Sequence, residues 1–144
     1  MKILVIDDER AIRNSLKEIL MLEGYEVETA ENGVQGIAMV EKEKYDVIFC
    51  DIKMPEMDGD EVLDRLVAMG IDAAIVMISG HGDINSAVAC IKRGAFDFIP
   101  KPLDLNRILI TIKNATEKVT LVKEAKVLKK KVYGREMIGE SEAL

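Results

Sequence analysis

Hydrophobic positions alternate between two rhythms along the chain. Three short runs, Ile3 to Ile6, Val47 to Cys50 and Ala73 to Ile78, are apolar at nearly every position. That is the pattern of a strand buried on both faces of a parallel sheet. Tyr25 to Thr29 instead alternates polar and apolar residues, as an edge strand does, and Phe96 to Ile99 forms a short fifth run. Between these runs apolar residues return at helical spacing. The expected inward stripes are Ile12, Leu16, Ile19 and Leu20; then Val34, Ile37, Ala38 and Val40; then Val62, Leu63, Leu66 and Val67; then Ile84, Ala87, Val88 and Ile91. Gly24 and Gly94 are placed to stop helices. Asn32-Gly33 opens the second helix, and Asp60, Asp83 and Asp104 are expected to cap the later ones.

Strand and helix alternate five times, which predicts an α/β fold: a doubly wound parallel sheet with helices on both faces, joined by right-handed crossovers. The edge-like second strand and fully apolar first strand favour the flavodoxin-like (βα)5 order 2-1-3-4-5. The fifth helix, starting after Asp104, carries its periodic pattern on towards Lys131, so an extended C-terminal helix is expected.

Composition narrows the class. The 144 residues suffice for one domain with a core, and 49% hydrophobic with 32% charged residues is an ordinary globular balance. With no Trp and three each of Tyr and Phe, that core must be aliphatic. Cys50 and Cys90 lie in apolar segments without metal spacing, which reads as buried free thiols in a reducing cytoplasm. Met54 and Met57 read as loop packing. The first apolar run is too short for a signal peptide and no stretch approaches a membrane span, so a cytoplasmic location is expected. Residues 1–112 hold 12 Lys and Arg against 21 Asp and Glu, net −9, while residues 113–144 hold 8 against 5, net +3. So acidic a body argues against direct nucleic-acid contact.

The candidate chemistry lies where strands end. Asp7 and Asp8 follow the first strand, Asp51 the third, Ser79 the fourth, and Lys101 the fifth. In the predicted order these ends share one rim, at the point where strand order reverses, where open α/β sheets bind ligands. An Asp at a strand end, seen alone, does no more than end the strand. Three carboxylates together repel and raise one another's pKa, so a cation must offset them. Lys101 supplies one charge; a hard divalent ion with oxygen ligands, Mg2+ rather than Zn2+, supplies two. A carboxylate beside Mg2+ and a lysine suits nucleophilic attack on a phosphoryl group, with Ser79 donating a hydrogen bond to the product. His81, the only histidine, sits between glycines and reads as neither ligand nor base.

Four segments together resemble one family: Ile6-Asp7-Asp8-Glu9, Cys50 to Gly59 (CDIKMPEMDG), Ile78-Ser79-Gly80-His81-Gly82, and Gly94 to Leu103 (GAFDFIPKPL). They resemble the receiver domain of two-component response regulators, in particular the subfamily of sigma-54-dependent, NtrC-type transcription activators. The resemblance implies that Asp51 is the phosphoacceptor and that a sensor histidine kinase is the partner. It further implies that Asp8 and Asp51 hold Mg2+ directly, with the Lys53 backbone carbonyl as third ligand and Asp7 acting mainly through water. Lys101 would contact the phosphoryl group, Ser79 and Phe98 would be the switch pair, and the Lys101–Pro102 bond would be cis. Family members often carry Thr at the position of Ser79 and Tyr at that of Phe98. Such a protein is a switch, not an enzyme beyond its own phosphorylation and dephosphorylation.

Residues 1–120 are thus expected to form the receiver. Met137 to Leu144 (MIGESEAL) resemble the opening of the AAA+ ATPase domain of such activators, which implies that residues 121–144 are a helical linker towards an AAA+ domain absent from this chain, as is any DNA-binding domain. Leu121, Ala125, Leu128 and Val132 step by 4, 3 and 4 with lysines between, the spacing of a coiled-coil seam and hence of a homodimer. A single amphipathic helix lying on its own domain would share the pattern. Two other functions fit the fold class less well. A stand-alone Mg2+-dependent phosphohydrolase needs a second Asp two residues after the nucleophile, where Lys53 stands. A flavodoxin-like electron carrier needs a phosphate loop after the first strand, where Asp7-Asp8-Glu9 would repel the phosphate.

Overall fold

The computed structural model describes residues 1–80 and 84–117. Five strands, β1 (Lys2–Ile6), β2 (Glu26–Ala30), β3 (Val47–Asp51), β4 (Ala74–Ser79) and β5 (Asp97–Pro100), form one parallel sheet in the order β2-β1-β3-β4-β5. Between them run α1 (Arg10–Leu22), α2 (Gly33–Lys42), α3 (Gly59–Ala68) and α4 (Ile84–Arg93), and a fifth helix, α5, is present from 105 to 117. This is the expected flavodoxin-like architecture.

Two apolar layers sandwich the sheet, one on each face, because successive strand residues point opposite ways. Leu4, Ile6, Ile48, Cys50, Ile75 and Met77 pack with Val40 of α2, Val62, Leu63 and Leu66 of α3, and Cys90 of α4. Ile3, Val5, Val47, Phe49, Val76 and Ile78 face the other way, onto Leu16 and Leu20 of α1 and Ile108, Ile112 and Ala115 of α5. All of β1 beyond Lys2, and the whole of β3 and β4, are therefore buried. Both cysteines are free and buried, and Met54 and Met57 pack against the first layer, as expected.

Helix faces depart from the simple stripes. Val34 of α2 and Val67 of α3 are exposed, as are Val88 and Ile91 of α4 and also Ala38. In α2 the buried face is instead Gly33, Gly36 and Val40. The missing side chains let that helix come close: a Cβ on Gly36 would lie 2.4 Å from Ile6 Cδ1. Ends follow local hydrogen bonding. Asn32 caps α2 and Asp104 accepts from Asn106 N at the start of α5. The cap of α3 is Asp58, whose carboxylate accepts from Glu61 N at 3.1 Å, with Asp60 one position inside the first turn. Gly24 and Gly94 follow their helices at φ +91° and +118°, where a side chain would be strained. The expected coiled-coil positions Leu121, Ala125, Leu128 and Val132 lie outside the described residues, as do His81 and the cap expected at Asp83.

Candidate functional site

Parallel strands deliver their carboxyl ends to one rim, and the register decides what meets there. Asp51, last in β3, pairs with Ile78, and Ser79 follows in β4 beside Pro100. Ile6 pairs with Cys50, which sets Asp7 and Asp8 next to Asp51. One carboxylate oxygen from each of Asp7, Asp8 and Asp51 lies within 4.8 Å of the others. Asp7 and Asp51 are buried and Asp8 is exposed, so the cluster opens to solvent on one side. Lys101 reaches in from the loop after β5: its Nζ is 3.4 Å from Asp51 Oδ2, 3.5 Å from Asp7 Oδ2 and 3.0 Å from Glu9 Oε1. Its backbone N–H donates to the Ser79 carbonyl at 2.8 Å, tying the β4 and β5 ends together, and its bond to Pro102 is cis. Ser79 is buried at this rim, and the Phe98 ring is buried in the apolar layer beneath it. Lys53 lies two residues beyond Asp51 in the loop, its side chain exposed.

The electrostatics follow from burial. Desolvation, then the charge of Asp7, pushes the Asp51 carboxyl up to about 6, with Lys101 pulling against them. Asp7 is also raised, mainly by burial, against the backbone hydrogen bond from Glu9 and the field of Lys101. Burial works against the Lys101 ammonium, but the hydrogen bond to Glu9 and the fields of Asp7, Asp51 and Glu9 outweigh it and raise its pKa. Asp7 Oδ2 is fully buried and, although near Lys101, receives no hydrogen bond. Such an orphaned oxygen within a cluster of hard donors fits a small divalent cation.

Two contacts lie outside the sequence expectation. Arg13 Nη1 donates to the Asp7 carbonyl at 2.6 Å, and Glu9 is the nearest acid to Lys101. The only sequence signal for the latter is that Glu9 occupies a helix N-cap, a place that favours Ser, Thr, Asp or Asn. A cavity of about 540 Å3 at the opposite end of the sheet, lined by Tyr45, Ile48, Met69 and Ile71 among others, shares none of these groups.

The family model for the response regulator receiver domain matches residues 3–113. The chain belongs to the response regulator receiver family. It is thus a phosphorylation-dependent signalling module, and its relatives include the NtrC-type subfamily. It is 38% identical over 144 residues to the nitrogen assimilation regulatory protein NtrX of Azorhizobium caulinodans, covering 99% of this chain and 32% of that protein. It is 38% identical over 113 residues to the response regulator MprA of Mycobacterium leprae, covering 78% of this chain and 50% of that one. The receiver thus spans a third to a half of the length of these curated relatives. Among solved structures, NtrX from Brucella abortus in complex with ADP superposes with a TM-score of 0.83 at 37% identity, over 88% of this chain and 29% of that one. The beryllofluoride-activated NtrC4 receiver domain dimer superposes with 0.77 at 37% identity, over 82% and 98%. Among the described residues, no helix is long and apolar enough to cross a membrane.

Proposed function

We propose that this receiver accepts a phosphoryl group on Asp51 from a sensor histidine kinase and passes the change to an effector region that controls transcription. The observation carrying this reading is the buried Asp51 carboxylate beside two further acids and within 3.4 Å of the Lys101 ammonium. An Asp51 oxygen attacks phosphorus; the new O–P bond forms as the bond to the donor breaks, and the donor leaves with the electron pair. With its pKa near 6, Asp51 is mostly ionised and nucleophilic at neutral pH. Lys101 neutralises charge on the transferred oxygens. The clustered Asp7, Asp8 and Asp51 oxygens suit Mg2+; Asp8, Asp51 and the Lys53 backbone carbonyl would hold it, with Asp7 assisting, and it would supply positive charge against the phosphoryl oxygens.

Ser79, at the end of β4, and Phe98, within the adjacent β5, are the proposed switch pair that reports the phosphoryl group. The only chemistry proposed for the chain is its own phosphorylation and autodephosphorylation; Lys53 in place of a second Asp speaks against a phosphohydrolase. We assign the receiver to residues 1–120 and a linker towards an AAA+ ATPase domain to residues 121–144, in a cytoplasmic protein. The linker heptads Leu121, Ala125, Leu128 and Val132 would join two copies; the NtrC4 receiver, a dimer in its beryllofluoride-activated form, lends support.

Acetyl phosphate with Mg2+ tests the central claim. Intact-mass analysis should show one base-labile phosphoryl group on the wild type and none on Asp51→Asn. An undiminished adduct on the variant would remove Asp51 as acceptor.

A further inference from the structure

Glu9 stands at the N-cap of α1, yet its side chain caps nothing. Its backbone is held on both sides: Asp7 Oδ1 accepts from Glu9 N at 2.8 Å, and the Glu9 carbonyl accepts the first helical bond, from Arg13 N at 3.1 Å. With its backbone held twice, Glu9 sends its carboxylate out of the helix to Lys101, 92 residues away in sequence, and meets Nζ at 3.0 Å. That is nearer than Asp51 at 3.4 Å or Asp7 at 3.5 Å. A shorter Asp or Ser would cap the helix better but has less reach, so the residue type suits the distant lysine rather than the helix.

We propose that Glu9 is a positioning residue that holds the Lys101 ammonium at the rim of the site in the unphosphorylated protein and competes with the incoming phosphoryl group for it. The inference rests on Asp51 being the acceptor. Lys101 has three acidic partners and one charge. A phosphoryl group on Asp51 adds negative charge on the inner side, so the ammonium must leave Glu9 to serve it. Glu9 is solvent-exposed, its side chain 59% accessible, and Lys101 is mostly covered, so the contact is screened on one side only. Breaking such a pair changes an equilibrium by about two- to fivefold, large enough to set how readily the site is filled and small enough to remain reversible.

The probe is beryllofluoride with Mg2+, titrated by 19F NMR on the whole chain. Glu9→Gln should bind it about two- to fivefold more tightly than the wild type. Glu9→Asp keeps the charge but loses the reach, and should behave like Glu9→Gln. In a Lys101→Met background, the Glu9→Gln advantage should disappear. If Glu9→Asp matches the wild type, or if the advantage persists without Lys101, Glu9 acts only through its charge near the cluster and the proposal is overturned. Equal affinity of Glu9→Gln and the wild type also overturns it. Failure of the wild type to bind the probe or to be phosphorylated would instead strike the assignment of Asp51. Because the Glu9 side chain makes no capping bond, these variants should fold; far-ultraviolet circular dichroism checks that.

Discussion

A carboxyl group raised to about 6 in the folded chain, against 3.8 ordinarily, has a consequence for stability. Between those values the folded protein keeps the Asp51 proton while the unfolded chain has lost it, so the slope of stability against pH is negative. The strain is absent below about pH 4, grows as pH rises, and is complete above about pH 6. Two pKa units correspond to about 2–3 kcal/mol, an upper figure for a group with both burial and a lysine beside it. Asp51→Asn, which cannot ionise, should therefore be more stable than the wild type by up to about 2–3 kcal/mol at pH 7 without divalent cation. The gap should close at about pH 4. Urea denaturation at the two pH values measures it; a variant no more stable at neutral pH would mean that Lys101 already offsets the cluster. Lys101 keeps Asp7 and Glu9 as partners in that variant, so the lysine itself is not stranded.

Elements here are seated by what their side chains lack as much as by what they carry. α2 and α3 approach their neighbours through glycines: a Cβ on Gly33 would come within 2.5 Å of Val62 Cγ2, and one on Gly59 within 2.2 Å of the Asp51 carbonyl oxygen. The first contact is with a side chain, which can turn aside. The second is with backbone, as is the 2.6 Å approach to Ile52 Cα, and backbone within a paired strand end cannot yield. Gly59 N also donates to the Ile52 carbonyl at 2.6 Å, fastening the start of α3 to the end of β3. Gly59→Ala should thus cost about 2–4 kcal/mol in urea denaturation and also slow phosphorylation of Asp51, since the loop it displaces begins at that proposed acceptor. A loss of stability with unchanged phosphorylation would show that the loop and the site move independently. Periodicity placed Val34 inward because it weighs apolar side chains and gives glycine no contact value; packing buries Gly33 and Gly36 beside Val40 instead.

For the molecule as a whole, charge is divided along the chain. Residues 1–112 are net acidic and residues 113–144 net basic, and α5, buried through Ile108, Ile112 and Ala115, crosses that boundary. The loop holding Lys101 leads directly into α5, so a shift of that lysine bears on the helix that precedes the proposed dimer seam. Two heptads alone are marginal, which makes the seam sensitive to what the receiver adds. Leu121→Glu with Leu128→Glu should move the unphosphorylated protein towards monomer while leaving Asp51 phosphorylation intact. Sedimentation equilibrium decides between outcomes: a wild type already monomeric, or a double variant that associates equally well, removes the seam from the mechanism.

The apolar runs of β1, β3 and β4 were legible in the sequence because strands covered on both faces leave no polar positions to confuse the pattern. The alternation at Tyr25 to Thr29 marked the edge, and with it the strand order. Parallel strands all end on the same side, which brings Asp7, Asp8, Asp51, Ser79 and Lys101 to one rim, and the order sets β1, β3 and β4 side by side there. Tertiary structure decided the rest. Whether α3 is capped by Asp58 or Asp60 depended on which carboxylate the chain direction aims at Glu61 N. The raised pKa of Asp51 came from burial and from Asp7, neither of which is a property of its own neighbours in sequence. The pairing of Glu9 with Lys101 required the sheet to close across 92 residues, and local pattern carries no information about such distances.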